Sequence, residues 1–381
     1  MFPLFTKTSG KIYGIVGLFI LLMLACVSSM IFGRTAITLQ DGMDAFRHYD
    51  EQSIEHIVLL TERLPRTVIA AVVGASLAVA GALMQALTRN PLASPSVFGI
   101  NAGAIFFIVI AIVVLSVSSL NTMMWFGFAG AAIAAAIVYG LGSLGRDGLT
   151  PIKIVLAGTA ITALFSSFTQ AVLILDGTGL QDVLFWLAGS VSGRTLDMLY
   201  PVLPYMTIAA IIALFMGRAV NLLLTGDDIA KGMGQNVLLV KLLMGVVTVL
   251  LAGGSVAVAG SVGLVGLVVP HIMRALVGND YRWLVPYSIL GGAILLLSAD
   301  VVARLVIMPQ EIPLGVMTAI IGGPFFVYIA RKGGRKYEKD VNLSHKKRCH
   351  LTANGTEIII GHHCVVYIIS HCCDCRHKYR Q

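Results

Sequence analysis

Charge is the scarcest property of this sequence: only 12% of its 381 residues are Asp, Glu, Lys or Arg, while 57% are hydrophobic. A soluble domain carries roughly 25% charged residues, so charge at this level cannot cover a water-facing surface. The length would allow two or three soluble domains, but the deficit leaves one body dissolved in lipid. A second absence concerns energy. No G-x-x-x-x-G-K-[ST] phosphate loop occurs, which excludes nucleotide binding of the usual kind. Carboxylates inside the apolar stretches are a third scarcity. Asp300 is the one clear case, too little for a proton or sodium relay. No catalytic group, cofactor or resident metal is expected.

What is present is apolar length. Stretches near 12–32, 66–87, 96–117, 123–143, 153–175, 199–217, 238–258, 260–277, 284–307 and 312–330 raise the mean hydropathy to +0.87. Most reach the roughly 20 helical residues that cross a hydrocarbon core of about 30 Å. The stretch at 260–277 is the weakest, because Pro270, His271 and Arg274 interrupt it. The first follows Lys7 and Lys11 as a secretory leader would, but its apolar core is too long and no small-x-small cleavage site follows. It reads as a retained span.

Ten spans place both termini on one side. That side collects Lys7, Lys11, Arg89, Arg146, Lys153, Arg218, Lys231, Arg274, Arg282, Arg331 and Lys332. The opposite side carries the acidic loop 40–62, with Asp41, Asp44, Asp50, Glu51, Glu55 and Glu62. The positive-inside bias therefore expects both termini in the cytoplasm. It also accounts for the net charge of +8 without a nucleic-acid partner.

The sequence repeats itself. Gly74–Met84, GASLAVAGALM, agrees with Gly253–Gly263, GGSVAVAGSVG, at six of eleven positions. INAGAI at 100–105 likewise matches ILGGAI at 289–294. The copies begin at spans two and seven, an odd number of crossings apart, so the second is expected to be inverted. Small residues at Gly74, Ala78, Gly81, Gly253, Ala257 and Gly260 mark close helix contacts, with or without a role in transport. Asp300 precedes Arg304 by one helical turn, where the two suit either a neutralised structural pair or a gate. A transporter without energy chemistry of its own borrows it from a partner.

At this point ordered motifs carry a resemblance. Arg63-Leu-Pro-Arg66 opens a span that runs through GASLAVAG to Gln85 and then Arg89-Asn90-Pro91-Leu-Ala-Ser-Pro95. Gly260–Arg274, GSVGLVGLVVPHIMR, is followed by Ala299-Asp-Val-Val-Ala-Arg304, Ile312-Pro-Leu-Gly-Val316 and Gly322-Gly-Pro-Phe325. Over about residues 10–334 the chain resembles the FecCD permeases, which import iron–siderophore complexes, haem and vitamin B12. The resemblance implies an all-α polytopic membrane protein of about ten transmembrane helices, built like the vitamin B12 importer permease. It also implies a partner permease subunit, identical or homologous, a cytoplasmic ATPase dimer and an extracellular or periplasmic siderophore-binding protein.

The same resemblance implies residue roles. Arg63, Arg66 and Arg304 match the arginines that receive glutamates of the binding protein, and a guanidinium fork suits carboxylates. Thr225–Asn236 is similar to the family's coupling segment, with Asp227, Asp228, Ile229, Ala230, Lys231, Gly232, Met233 and Gly234 meeting the ATPase. Asp227 and Asp228 suit a helix start, and Gly232 and Gly234 its end. Gly74, Gly81, Gln85, Arg89, Asn90, Pro91, Gly260, Gly263, Gly266, Pro270, His271 and Arg274 fall on motif, pathway and packing positions. Pro270-His271 is expected to break a helix at the cytoplasmic rim and not to hold a metal. Trp125, Trp186 and Trp283 suit aromatic belts, and Gln181–Gly189 suits a short outer re-entrant helix.

The tail departs from the family. A transmembrane permease domain is expected over 1–335 and an atypical cytoplasmic tail over 336–381, disordered or artefactual. The tail holds Cys349, Cys364, Cys372, Cys373 and Cys375, at no standard zinc spacing. Three classes stand. The first is the permease subunit of an ATP-binding cassette importer in the bacterial inner membrane, for ferric siderophore or else haem or vitamin B12. The second is an inverted-repeat secondary transporter. The third, a receptor or structural protein, leaves the coupling segment unexplained.

Overall fold

A computed structural model of the chain describes residues 3–33, 35, 37–144, 150–175, 186–307, 310–328 and 331. The chain divides into two units, Met1–Phe325 and Phe326–Gln381. Almost all described residues belong to the first. The Cys/His-rich tail, Arg146, Lys332 and residues 181–185 of the expected re-entrant helix lie outside the described residues.

Helix α1 (Thr8–Ile31) is followed by the short amphipathic α2 (Leu39–Arg47), whose start is closed by a Thr38–Asp41 capping box. The long α3 (Ile54–Leu87) comes next, then α4 (Ile100–Val114), α5 (Leu120–Ser143) and α6 (Pro151–Leu175). Helices α7 (Leu203–Phe215) and α8 (Gly217–Leu224) form one span bent by 56°. The short α9 (Asp227–Gly232) leads into α10 (Val237–Ala259), α11 (Val265–Val277), α12 (Tyr281–Leu305) and α13 (Leu314–Tyr328). Six of these helices are long and apolar enough to cross a membrane, the bent pair adds a seventh, and three shorter apolar helices complete the set. Each of the ten stretches marked by hydropathy contains one of these helices.

The core is built around α3, which packs on α10, α11 and α12. Two glycine contacts set how close it lies. A Cβ on Gly74 would collide with the Gly292 carbonyl of α12, and one on Gly81 with the Gly266 carbonyl of α11. Bare backbone touching bare backbone is how small residues bind membrane helices together. The second repeat copy behaves differently. Its counterpart of α3 stops being helical at Gly260, where φ is +74° and a Cβ would meet the Trp186 carbonyl at 2.6 Å. Residues 260–264 then run without helix to Leu264, itself left-handed at φ +66°. The two copies share sequence, but their last four residues do not share structure. At Gly263 nothing in the chain lies within 4 Å of a Cβ placed there.

Pro270 corrects an expectation. The sequence expects a break there, yet α11 runs through it from Val265 to Val277. Proline lacks the N–H that would bond the carbonyl four residues back, which here is Gly266. Gln85 of α3 supplies the missing donor, its Nε2 bonding the Gly266 carbonyl at 3.3 Å. The helix continues because another helix fills the vacancy. Next to Pro270, the His271 ring meets Phe325 edge to face, with centroids 5.9 Å apart.

Candidate functional site: two polar ends

Polar chemistry gathers at the two ends of the helices. At one end α1 stops at Ile31, leaving the carbonyls of Ser29, Met30, Ile31 and Phe32 without helical partners. Two arginines take all four. Arg63 Nη1 donates to the carbonyls of Met30 at 2.7 Å and Ile31 at 2.6 Å, and its Nη2 reaches Thr35. Arg304 Nη1 donates to the carbonyls of Ser29 at 3.0 Å and Phe32 at 3.2 Å, and its Nη2 bonds Ser29 Oγ at 2.7 Å. Cations suit this position because the helix dipole ends negative there. Both side chains are therefore buried, each residue 4% exposed, and neither snorkels into the interface.

Arg66 has other partners. Its Nε and Nη2 grip the two carboxylate oxygens of Asp300 at 2.8–3.1 Å, and its Nη1 donates to Glu311 at 2.8 Å. Asp300 also receives Arg304 Nη2 at 2.7 Å. The i,i+4 pair legible in the sequence is present, but as part of a cluster of two arginines and two carboxylates. Charges so buried persist only when paired and hydrogen-bonded. In α3, Arg63 ends a wider π-type turn, Val58–Arg63, and Arg66 lies just beyond it; such a distortion is frequent at functional sites.

The other end is organised around α9. Its start falls at Asp227, as the paired aspartates suggest. Its end is a Schellman motif: Gly234, left-handed at φ +82°, bonds the Lys231 carbonyl, and Gln235 bonds that of Ala230. Gly232 remains inside the helix, so only one of the two glycines terminates it. Ala230 is buried, whereas Ile229 and Met233 are 56% and 69% exposed. Asp227 is held from two sides, by Arg89 at 2.6 Å and Lys241 at 2.6 Å.

Arg89 is unusual. It closes α3 by the same motif, bonding the Ala86 carbonyl while Asn90 bonds that of Gln85. Glycine normally fills that left-handed place; Arg89 occupies it at φ +50°. Its guanidinium then reaches both Asp227 and the Leu223 carbonyl, tying the end of α3 to α8 and α9. Asn90 Oδ1 accepts from Leu92 N at 2.9 Å, which shapes the turn around Pro91.

A second strand of the network starts at Gln85, 3% exposed. Besides donating to Gly266, it accepts from Arg274 Nη1 at 2.5 Å. Arg274 also bonds the Tyr281 hydroxyl at 3.0 Å, which in turn donates to the Ala82 carbonyl at 3.1 Å. The Tyr281 amide donates to Asn221 of α8, whose side-chain nitrogen bonds Asp280 at 2.6 Å. The hydrogen-bonded Arg282 guanidinium and Asn221 hold the Asp280 carboxyl down at about 2. Arg89, Gln85 and Arg274, read separately from motifs, thus join one rim with Asp227.

Several participants were not legible. Glu311 carries no local signal beyond a position before Ile312-Pro313, and Asn221, Asp280 and Tyr281 none at all. Trp186 proves to be core: it is 2% exposed, with the Arg194 guanidinium 4.1 Å from its ring centroid.

Similarity to known proteins covers this whole framework. Residues 21–332 match the FecCD transport family. The chain is 52% identical over 329 residues, 86% of its length and 98% of the relative's, to YfiZ, a siderophore transport system permease protein of Bacillus subtilis (strain 168). It is 48% identical to the Fe(3+)-citrate import system permease protein YfmD of the same organism, over 79% of this chain and 89% of that one. Identity to the ferric enterobactin transport system permease protein FepD of Escherichia coli (strain K12) is 38%, over 84% and 95%. Among solved structures, an inward-facing metal-chelate type ABC transporter superposes with a TM-score of 0.74 at 29% identity, over 84% of this chain and 98% of that one.

Proposed function

This chain belongs to the FecCD transport family, and from that premise we propose that it is the membrane permease of an ATP-binding cassette importer for ferric siderophores. The observation that carries the reading is the set of relatives. Permeases named for siderophore, ferric citrate and ferric enterobactin transport match it over 79–86% of its length. The absence of any phosphate loop supports an energy source in a separate ATPase dimer. A second permease subunit completes the pathway. The Lys/Arg bias supports a bacterial inner-membrane orientation with both termini cytoplasmic. The tail from about residue 336 is no part of the permease domain.

On this reading α9 is the element that meets the ATPase. Exposed Ile229 and Met233 on a capped helix suit an apolar cleft, and Asp227 transmits displacement to α3 through Arg89. The arginine end receives the binding protein. Arg66 is the recognising cation, because its partners are carboxylates, while Arg63 and Arg304 shape the mouth by closing α1. Arg66→Glu should weaken docking of the cognate binding protein at least tenfold, measured on the importer in nanodiscs. Affinity unchanged within twofold would remove the docking assignment. The transport reading itself is tested by ATP-dependent uptake of ferric siderophore into proteoliposomes.

A further inference from the structure

We infer that Glu311 stands in for a carboxylate of the binding protein, occupying one arm of Arg66 until docking displaces it. The inference rests on the docking reading above and concerns how that site is regulated. Arg66 divides its donors between two carboxylates of unlike mobility. Asp300 lies on α12, its side chain 1% exposed, and is gripped by Arg304 as well. Glu311 lies in the non-helical connection 310–313, and its side chain is 18% exposed. Asp300 is therefore the fixed counterion and Glu311 the exchangeable one.

Exchange also suits the electrostatics. Baring a buried guanidinium is costly, because desolvation has already been spent and no partner compensates it. Replacing one carboxylate by another keeps the fork satisfied throughout. A docking glutamate then competes with Glu311 and adds no new buried charge pair.

The connection that carries Glu311 leads inward. Four residues on, Gly315 N donates to the Gly189 carbonyl at 3.0 Å, and a Cβ on Gly315 would collide with the Ala188 carbonyl and meet that of Ser261 at 2.8 Å. Ser261 N bonds the Trp186 carbonyl at 3.0 Å, and Ser190 N bonds that of Ala259 at 2.8 Å. Residues 186–190 and the non-helical linker 260–264 are thus stitched to the start of α13. Release of Glu311 frees the lead-in to that start. Occupancy of the mouth becomes a pull on the linker that separates α10 from α11.

The test measures docking of the cognate binding protein to the importer, with its ATPase, in nanodiscs. Glu311→Gln keeps the shape and removes the competing charge, so affinity should rise about tenfold and basal ATP hydrolysis should rise with it. Asp44→Asn removes one exposed charge from α2 at the same end without touching Arg66, and should leave affinity within twofold. If both variants tighten docking equally, the effect is bulk charge and the inference fails. If Glu311→Gln leaves affinity unchanged or lowers it while Arg66→Glu weakens docking tenfold or more, the inference fails and the docking reading survives. If Arg66→Glu has no effect, the docking reading itself falls. Should Glu311→Gln not fold, Glu311→Asp is measured instead. Its shorter reach should tighten docking two- to threefold, and no tightening overturns the inference.

Discussion

Asp300→Ala should destabilise the protein more than any other single substitution at its charged sites. The carboxylate is the shared counterion of Arg66 and Arg304, and all three side chains are at most 6% exposed. Removing it leaves two buried guanidiniums facing each other, Arg66 with the Glu311 carboxylate and Arg304 with only the neutral acceptors of Ser29 and Phe32. Breaking a buried pair by deleting one partner costs about 3–5 kcal/mol. Thermal unfolding in detergent micelles should show the largest fall in midpoint of any of these variants. Arg304→Ala should cost less, because it also removes a charge and leaves the Arg66–Asp300 fork intact. A midpoint for Asp300→Ala within a degree or two of the parent's would mean that the cluster contributes little to stability.

Gly81→Val should damage the opposite side of the core. The added Cβ falls on the Gly266 carbonyl, which is backbone and cannot swing aside. To make room α3 must move away from α11, and the Gln85 bond that replaces the missing Pro270 donor breaks with it. Overpacking costs about 1–3 kcal/mol, and the lost hydrogen bond adds about 0.5–1.5 kcal/mol. Transport should be lost and the yield of folded protein should fall severalfold. Gly263→Ala is the internal contrast, since no atom lies within 4 Å of its new methyl group. Equal tolerance of both substitutions, read from folded yield and uptake, would refute the close approach of α3 and α11.

These two cases show what was legible in the sequence and what was not. Hydropathy located each helix long and apolar enough to span among the described residues, because apolar length is a local property. The ends of α9 were legible in part, since aspartates and glycines act within one turn. The Asp300–Arg304 pair was legible for the same reason. Its more important partner, Arg66, lies 234 residues away and is joined to it only by the packing of α3 on α12. Pro270 shows the same limit. Its effect on the helix is local, but the donor that cancels it, Gln85, is 181 residues from the Gly266 carbonyl it satisfies. The capping of α1 by Arg63 and Arg304 needed three helix ends brought together, so motif reading saw arginines at a mouth and missed the four carbonyls they close. Repeat matching failed over its last four residues because Gly260 takes a backbone conformation that sequence identity does not encode.

On the proposed function, this permease moves a ferric chelate inward on another subunit's ATP hydrolysis. The direct measurement is uptake of radiolabelled ferric siderophore into proteoliposomes holding the permease, its ATPase and its binding protein, with the ATPase's catalytic glutamate intact or replaced. Uptake should require ATP and fall to background with the replaced glutamate. Uptake that persisted at the intact rate, or that followed an imposed proton gradient without ATP, would contradict it.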